Sequence, residues 1–108
     1  MQYLFVYGTL APNRPNAHVL ADVLGTWAPA VVMGRLRQAG WGAGMGYPGM
    51  DLDDAGEPIA GYVLASDVLD QHWQRIDGFE GSGYERVLTQ AKLDDGTTVS
   101  AHVYVLRA

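Results

Sequence analysis

Glu80 is the residue with the clearest chemical potential in this sequence. It lies in the segment IDGFEGSGYER, residues 76–86, directly after Phe79 and directly before the small residues 81–83. Glycines let a ligand approach the backbone closely, and Phe79 provides an apolar wall. A carboxyl group in an apolar cleft has a raised pKa, as a general acid or base at neutral pH requires. The segment therefore predicts a catalytic carboxylate, with a solvated loop carboxylate as the commoner structural alternative.

A second candidate site follows the first predicted strand, in FVYGTL at residues 5–10. A buried strand that leads into Gly8 and Thr9 would expose successive backbone N–H groups at its end, where they can hold a carboxylate or a developing oxyanion. The alternative is that Gly8 only turns the chain. Thr9 is a poor candidate nucleophile, because it is not N-terminal and no obvious base lies beside it in the sequence.

The glycine-rich loop 40–46 lacks the Lys and the Ser or Thr of a P-loop, and no helix clearly begins after it. We therefore expect a flexible loop on the substrate side of the site instead of a phosphate cradle. Tyr47 and Pro48 close this loop. They predict either a pocket edge or, as is commoner, an anchor in the core.

Metal sites and paired-carboxylate sites fit the sequence less well. The histidines lie far apart and lack the spacing of paired ligands, so we predict no metal site: His18, His72 and His102. Asp77, Glu80 and Glu85 cluster in the sequence, and a glycosidase needs two such carboxylates. However, Asp77 is expected in the last turn of a helix and Glu85 at the start of a strand, where each has an ordinary structural role.

The composition excludes several classes of protein. The chain has 108 residues, no cysteine and a net charge of -5, and its seven Lys and Arg residues are scattered. Without a basic patch, we expect no binding to nucleic acid or to an anionic membrane surface. No run is long enough to cross a membrane, and the N-terminus does not resemble a secretory signal. We predict one domain, residues 1–108, a cytoplasmic location and a small-molecule ligand.

The elements that must position the candidate residues are short. Runs of β-branched and aromatic residues predict strands at 2–7, 27–36 and 59–65, and two further strands from Glu85 onward that are joined by the turn 94–96. The order β, α, β, β, α, β, β indicates an α+β domain, a small curled mixed β-sheet with two short helices.

Capping residues mark the two predicted helices. Asn16 is placed to cap the first, which stops at Gly25. Ser66 is placed to cap the second, which carries one apolar face and ends near residues 77–78. The glycine-dense segment and the turn that follows it, within 39–56, are predicted to be loop.

Six motifs together resemble the γ-glutamylcyclotransferase-like family: VYGTL at 6–10, PNAHVL at 15–20, YPGM at 47–50, GYV at 61–63, IDGFEGSGYERV at 76–87 and AHVYVL at 101–106. Their order and spacing run the whole length of the chain. The specific part is a strand-end YGTL that is followed about seventy residues later by the segment that holds Glu80.

The resemblance implies a partial barrel whose cavity holds a γ-glutamyl group or its cyclised product, 5-oxoproline. The backbone stretch that would grip the glutamyl end of the substrate is Tyr7, Gly8, Thr9 and Leu10. The catalytic glutamate of the family falls on Glu80, and a tyrosine of the site falls on Tyr84. Tyr47, at the edge of the glycine-rich loop, is a further expected substrate contact.

The implied reaction suits these residues. The α-amine of a γ-glutamyl amide attacks its own γ-carbonyl, which releases an amine or amino acid and leaves 5-oxoproline. Glu80 would take a proton from the α-amine and deliver it to the leaving nitrogen. Because the enzyme mainly holds amine and carbonyl together, neither a metal nor an organic cofactor is expected.

The leaving amine stays open, because many relatives carry a basic residue after YGTL and this chain has Ala11 there. Two other functions also stay open. One is a non-catalytic module that binds an acidic metabolite or a partner in the same cavity, and the other is a hydrolase that activates water with Glu80. An apolar patch from Trp27, Trp41 or Met45 could support a homodimer.

Overall fold

The computed structural model of the protein describes residues 1–8, 10–14, 16–37 and 49–106. They form six β-strands: β1 (Gln2–Val6), β2 (Thr26–Arg37), β3 (Gly49–Leu52), β4 (Glu57–Ser66), β5 (Tyr84–Leu93) and β6 (Thr98–Leu106). The same residues include one α-helix, α1 (Trp73–Glu80), and two 3-10 turns, Ala17–Leu20 and Leu69–Gln71.

The strands make one sheet in the order β3-β2-β4-β1-β6-β5. β1 and β6 run parallel, and the other neighbouring strands are antiparallel. β2 also pairs with β5, at the other end of this order, with Ala30 opposite Leu93 and Val31 opposite Lys92. This extra pairing curls the sheet into a partial barrel and confirms the predicted α+β fold with a curled mixed sheet.

Alternation along the strands divides the buried side chains into two clusters, because successive side chains lie on opposite faces of a strand. On β1, Phe5 joins the cluster inside the barrel, whereas Leu4 and Val6 join the cluster outside it. The outer cluster includes Trp73 and Ile76 of α1. The members of the interior cluster are Phe5, Ala30, Val32, Met50, Ile59, Val63, Ala91, Ala101, Val103 and Val105.

Gly61 allows β1 and β4 to approach closely at the point where β1 ends. A Cβ at this position would lie 2.3 Å from the carbonyl oxygen of Val6 and 2.7 Å from the ring of Phe5. The first of these contacts is with backbone, which cannot rotate away. Glycine at 61 therefore allows the close packing at the end of β1, where the chain continues into Tyr7 and Gly8.

The first predicted helix is wrong in length. The structure contains only the 3-10 turn Ala17–Leu20, and Leu24 is 78% exposed. Asn16 precedes this turn without a side-chain capping hydrogen bond. A single turn fixes several backbone angles for few hydrogen bonds, so burial of Leu20 and Val23 against the outer cluster decides its extent.

The second predicted helix is wrong at both ends. Ser66 ends β4 instead of capping a helix, and its hydroxyl accepts a hydrogen bond from the N–H of Val68 at 3.1 Å and donates one to the carbonyl of Leu24. The α-helix begins at Trp73 and continues past the expected end to Glu80. Gly78 lies inside the helix without ending it, because tertiary contacts of α1 offset the low helix propensity of glycine.

β3 corrects the sequence prediction, which places residues 39–50 in a loop, residues 53–56 in a turn and no strand between them. It pairs antiparallel with the end of β2, from Gly34 opposite Leu52 to Arg37 opposite Gly49. A four-residue strand that begins with glycine has no local signal, and its formation depends on the edge that β2 offers. An ion pair of 2.5 Å joins Arg37 of β2 to Asp51 of β3, and another of 2.5 Å joins Arg35 to Asp53, the residue that follows β3.

Candidate active site

The end of β1 carries the first part of the site. Tyr7 is half-buried, and its hydroxyl donates a hydrogen bond of 2.8 Å to the backbone carbonyl of Tyr104 on β6. The carbonyl of Gly8 accepts a hydrogen bond from the N–H of Ala11, so the chain turns here. The Leu10 side chain is buried in the outer cluster. Leu10 can therefore meet a ligand through its backbone more readily than through its side chain.

Glu80 is the last residue of α1, and the helix face that is buried determines where it points. Trp73 and Ile76 are buried in the outer cluster, and Phe79 packs against that cluster. Glu80 itself is half-buried, and this burial raises the pKa of its carboxyl group from the ordinary 4.5 to about 7. The protein thus holds a glutamate that is partly protonated and partly ionised at neutral pH.

Gly81 ends the helix. Its backbone has φ 85° and ψ -179°, a combination that is essentially restricted to glycine. Its N–H still donates to the carbonyl of Asp77 at 3.0 Å, and its own carbonyl accepts from the N–H of Tyr84 at 3.3 Å. This turn takes the chain directly from Glu80 into β5.

Three of the predicted site residues come together from three different elements. Burial raises the pKa of the Tyr7 hydroxyl, and the electrostatic influence of Glu80 and then of Tyr84 raises it further. Tyr7 therefore stays protonated at neutral pH and acts as a donor. Tyr7 follows β1, Glu80 ends α1 and Tyr84 begins β5, so only the closed sheet brings them within electrostatic reach of one another.

A hydrogen-bonded ion pair lies one helical turn before Glu80. Arg86 of β5 donates to the Asp77 carboxylate from Nε at 2.9 Å and from Nη2 at 3.4 Å. The Tyr104 hydroxyl donates to the same carboxylate at 2.5 Å. Burial would raise the pKa of Asp77, but the hydrogen bonds from Tyr104 and Arg86 outweigh burial and hold that pKa below its ordinary value.

Arg86 also contacts two neighbouring rings. Its guanidinium carbon lies 4.1 Å from the ring centroid of Trp73, within the range of a cation–π contact. Its Nη1 lies 3.3 Å from Nδ1 of His102, and the His102 ring packs 4.6 Å from that of Trp73. Burial and the Arg86 charge lower the pKa of His102, which favours the neutral imidazole.

An open cleft of about 540 Å³ borders this part of the molecule. Its lining includes Asp77, Arg86 and Tyr104, together with Tyr84 and residues of the turn after Glu80: Gly81 and Ser82. The cleft therefore borders the turn that follows Glu80, and it gives solvent access to the ion pair.

Not every predicted residue can be placed. Thr9, Tyr47 and the glycine-rich loop 40–46 lie outside the described residues, as do Trp41 and Met45 of the expected apolar patch. Trp27 of that patch is 38% exposed. Glu85 is exposed at the start of β5, and Asp77 is engaged by Arg86 and Tyr104. These positions support a structural role for Asp77 and leave Glu80 as the buried carboxyl group of the three.

Sequence reasoning did not single out Tyr104 and Trp73. Both occupy positions that read as ordinary core, one in an alternating strand and the other on an apolar helix face. Arg86 lies within the motif at residues 76–87, but the motif alone assigns it no role. Only the spacing of Asp77 and Arg86 on either side of Glu80 could have suggested a supporting ion pair. Within the described ranges, no group of three or more His, Asp and Glu side chains is arranged to hold a metal ion.

Comparison with known families decides the relationship. Residues 4–108 match the family described as gamma-glutamyl cyclotransferase, AIG2-like. The chain belongs to this family. The gamma-glutamyl cyclotransferase, AIG2-like proteins are cyclotransferase-like enzymes, and the residues matched include every predicted site residue, from Tyr7 to Tyr84.

Solved structures show the same fold. YkqA from Bacillus subtilis is 30% identical with a TM-score of 0.74, over 98% of this chain and 36% of YkqA. An AIG2-like protein from Mus musculus is 27% identical with a TM-score of 0.71, over 97% of this chain and 76% of the mouse protein. The chain thus spans about a third of YkqA and most of the mouse protein.

A structure described as gamma-glutamyl cyclotransferase matches with a TM-score of 0.64 over 98% of this chain and 66% of its own length. At 14% identity this likeness concerns the fold alone. No curated protein matches the chain by sequence. Among the described residues, no helix has the length and apolar character needed to cross a membrane.

Proposed function

We propose that this protein is a cofactor-independent γ-glutamylcyclotransferase that converts a small γ-glutamyl amide into 5-oxoproline and a free amine or amino acid. The observation that carries the proposal is the buried carboxyl group of Glu80, whose pKa is raised to about 7 beside Tyr7 at the end of β1. Membership of the gamma-glutamyl cyclotransferase, AIG2-like family supports the reaction class.

The proposed step is an intramolecular substitution. Glu80 removes one proton from the α-amine, and the nitrogen then attacks the γ-carbonyl carbon of the same molecule, which forms the five-membered ring. The bond between this carbon and the leaving nitrogen breaks, and the proton held by Glu80 passes to that nitrogen. Glu80, ionised again, then takes the second proton from the ring nitrogen and passes it to the departing amine, which leaves as an ammonium ion. The two protons lost by the α-ammonium group are thus the two gained by the leaving nitrogen, and Glu80 ends ionised.

A pKa of about 7 suits both halves of this step. A glutamate with its ordinary pKa would be a much weaker base towards an ammonium group, whereas a carboxylate with a pKa near 7 takes the proton more readily and can still pass it to the leaving nitrogen. General acid–base catalysis of this kind contributes roughly 100-fold to 10,000-fold to a rate. The larger gain is expected from holding amine and carbonyl in a folded-back conformer.

The strand end after β1 is the proposed grip for the glutamyl part of the substrate. Gly8 has no side chain, and the Leu10 side chain is committed to the core, so their backbone groups would face the ligand. The Tyr7 hydroxyl is committed to the Tyr104 carbonyl and would shape the wall of the site. Thr9 and Tyr47 keep their proposed roles as a backbone contact and a pocket edge, and Tyr84 would line the side next to Glu80.

The test is product analysis by mass spectrometry with a panel of γ-glutamyl amines, γ-glutamyl dipeptides and glutathione. We expect 5-oxoproline from the wild type and a loss of at least about 100-fold in the Glu80→Gln variant, as for a missing general base. Glu57→Gln is the matched control, because Glu57 is an exposed glutamate at the start of β4. The panel would also identify the leaving amine.

Other products would point to the other two functions. Free glutamate in place of 5-oxoproline would indicate a hydrolase that activates water with Glu80. Binding of 5-oxoproline in calorimetry, without turnover of any γ-glutamyl compound, would indicate a binding module. Full cyclotransferase activity in Glu80→Gln would remove Glu80 from the mechanism.

A further inference from the structure

We infer that Tyr104, together with the Asp77–Arg86 ion pair, is a positioning network that fixes Glu80 relative to the strand end after β1. The catalytic consequence of this inference rests on the proposed function. The placement of the Glu80 carboxyl group does not depend on the proposed function, because it can be measured in the absence of any substrate.

Tyr104 contacts both halves of the site. Its hydroxyl donates to Asp77 on α1 at 2.5 Å, and its backbone carbonyl accepts from the Tyr7 hydroxyl at 2.8 Å. The residue is buried on β6, so its own position is set by the sheet. A single rigid residue therefore links the helix that carries Glu80 to the residue that opens the proposed grip.

Arg86 holds the same helix from a second strand. It binds the Asp77 carboxylate through Nε and Nη2 and lies over the ring of Trp73. Asp77 and Trp73 lie one turn apart on α1, so Arg86 contacts the helix at two points along one face. The planar guanidinium makes both contacts at once, which the ammonium group of lysine does not reproduce.

Glu80 needs such support because its local structure is weak. It is the last residue of an eight-residue helix, and the chain turns away at Gly81 immediately after it. Helix ends fray unless side chains hold them. Asp77 precedes Glu80 by three residues and therefore lies on the adjacent part of the same helix face. Anchoring Asp77 to the sheet keeps the last turn, and with it Glu80, against the outer cluster.

The charge of Glu80 acts on the phenols of Tyr7 and Tyr104, and Tyr84 acts on Tyr7 from the start of β5. Asp77 lies on the same helix as Glu80, with Arg86 across from it. A useful variant must leave all these charges in place. Tyr104→Phe does so, since it removes a neutral hydroxyl, and Arg86→Lys keeps the positive charge while removing the planar fork. The first control is Tyr3→Phe on β1. The second is Arg75→Lys: Arg75 lies on α1, as Asp77 does, but it forms its ion pair with Asp22.

We expect Tyr104→Phe and Arg86→Lys each to lower kcat by about 10-fold to 100-fold with KM changed by less than about three-fold, because a small misplacement of a reacting group is costly. In the free protein, the Glu80 carboxyl titration followed by carbon NMR should move from about 7 towards the ordinary 4.5 in both variants. The two control variants should leave kcat and the Glu80 titration as in the wild type. A role in stability alone would lower the unfolding free energy and leave the Glu80 titration where it is.

An unchanged Glu80 titration in both variants would overturn the inference, whatever their activity. If Tyr104→Phe fails to fold, the Arg86→Lys titration decides alone. A shifted titration in a protein that makes no 5-oxoproline would support the positioning network and overturn the proposed reaction. A shifted titration with unchanged kcat in an active enzyme would show that the network positions the Glu80 carboxyl group. It would overturn the claim that this positioning matters for catalysis.

Discussion

At the scale of single residues, two carboxyl groups three positions apart have opposite environments. Glu80 is half-buried, and burial raises its pKa to about 7. Asp77 is also partly buried, but hydrogen bonds from Tyr104 and Arg86 stabilise its charged form and lower its pKa. Residue type alone does not distinguish the two. The burial of Glu80, and the two donors beside Asp77, distinguish them.

The raised pKa of Glu80 predicts a cost in stability. Between pH 4.5 and about 7 the unfolded chain has released the Glu80 proton while the folded protein still holds it. Stability rises with pH only where the unfolded state binds more protons, so Glu80 makes the fold less stable as pH rises through this window. Glu80→Gln should therefore be more stable than the wild type by on the order of 2 kcal/mol above about pH 7, and equal to it near pH 4.

Urea unfolding at several pH values measures this difference. Glu57→Gln, at an exposed position, serves as the control and should stay within about 0.5 kcal/mol of the wild type throughout. A constant difference between Glu80→Gln and the wild type across pH would contradict the assigned environment of the carboxyl group.

At the scale of elements, the end of α1 is set by backbone conformation. Gly78 and Gly81 both have open space, since an added Cβ would meet no atom within 4 Å at either position. They differ in that Gly81 has φ 85° with an extended ψ, whereas Gly78 lies within the helix. The turn at Gly81 therefore depends on the freedom of glycine, and the helix at Gly78 does not.

Alanine substitutions should separate these two glycines. Gly81→Ala should destabilise the protein by roughly 1 to 3 kcal/mol, because alanine is strained at this φ and ψ. Gly78→Ala should be neutral or stabilising by up to about 1 kcal/mol, because alanine favours helix. Denaturant unfolding of both variants measures the pair, and equal effects would show that α1 does not end as described.

The element scale also shows why β2 is long. It pairs with β4 along most of its length, with β5 at Ala30 and Val31, and with β3 at its end. One continuous strand therefore joins three neighbours and curls the sheet. No neighbouring residue in the sequence predicts these partners.

At the scale of the whole molecule, closure of the sheet leaves a narrow interior. Small residues face inward on adjacent strands, with Ala91 on β5, Ala101 on β6 and Ala30 on β2 all in the interior cluster. Ala91 and Ala101 are fully buried. Larger side chains here would have to push strands apart, and the strands carry the site.

Ala101→Leu should destabilise the protein by roughly 1 to 3 kcal/mol, because overpacking forces neighbouring side chains and backbone to shift. Ala60→Leu is the comparison, since Ala60 is exposed on β4. Thermal or urea unfolding measures both. A mild effect at Ala101 would mean that the barrel interior is looser than the closed sheet implies.

Much of this protein follows from local sequence signals. Alternating apolar residues indicate β6, the sequence Asp-Asp-Gly indicates the turn at 94–96, and β-branched runs indicate β1, β2 and β4. Side-chain period and turn chemistry are local properties, so the sequence alone reveals them. The neighbours of Glu80 indicate a candidate carboxylate, and the family resemblance assigns it the catalytic role. Local capping signals predict the two helices with the wrong limits and give no indication of β3. The helix limits depend on burial against the outer cluster, and β3 depends on pairing with β2.

The sequence by itself determined an α+β fold and the family to which the motifs belong, and it predicted a small-molecule site near Glu80. Only the tertiary structure decided that Glu80 and Tyr84 lie within electrostatic reach of Tyr7, that Asp77 is engaged by Arg86 and Tyr104, and that burial raises the pKa of Glu80. The physical reason is that pKa values and ion pairs depend on neighbours in space. Strand pairing between β1, β5 and β6 supplies those neighbours from residues that lie up to 97 positions apart.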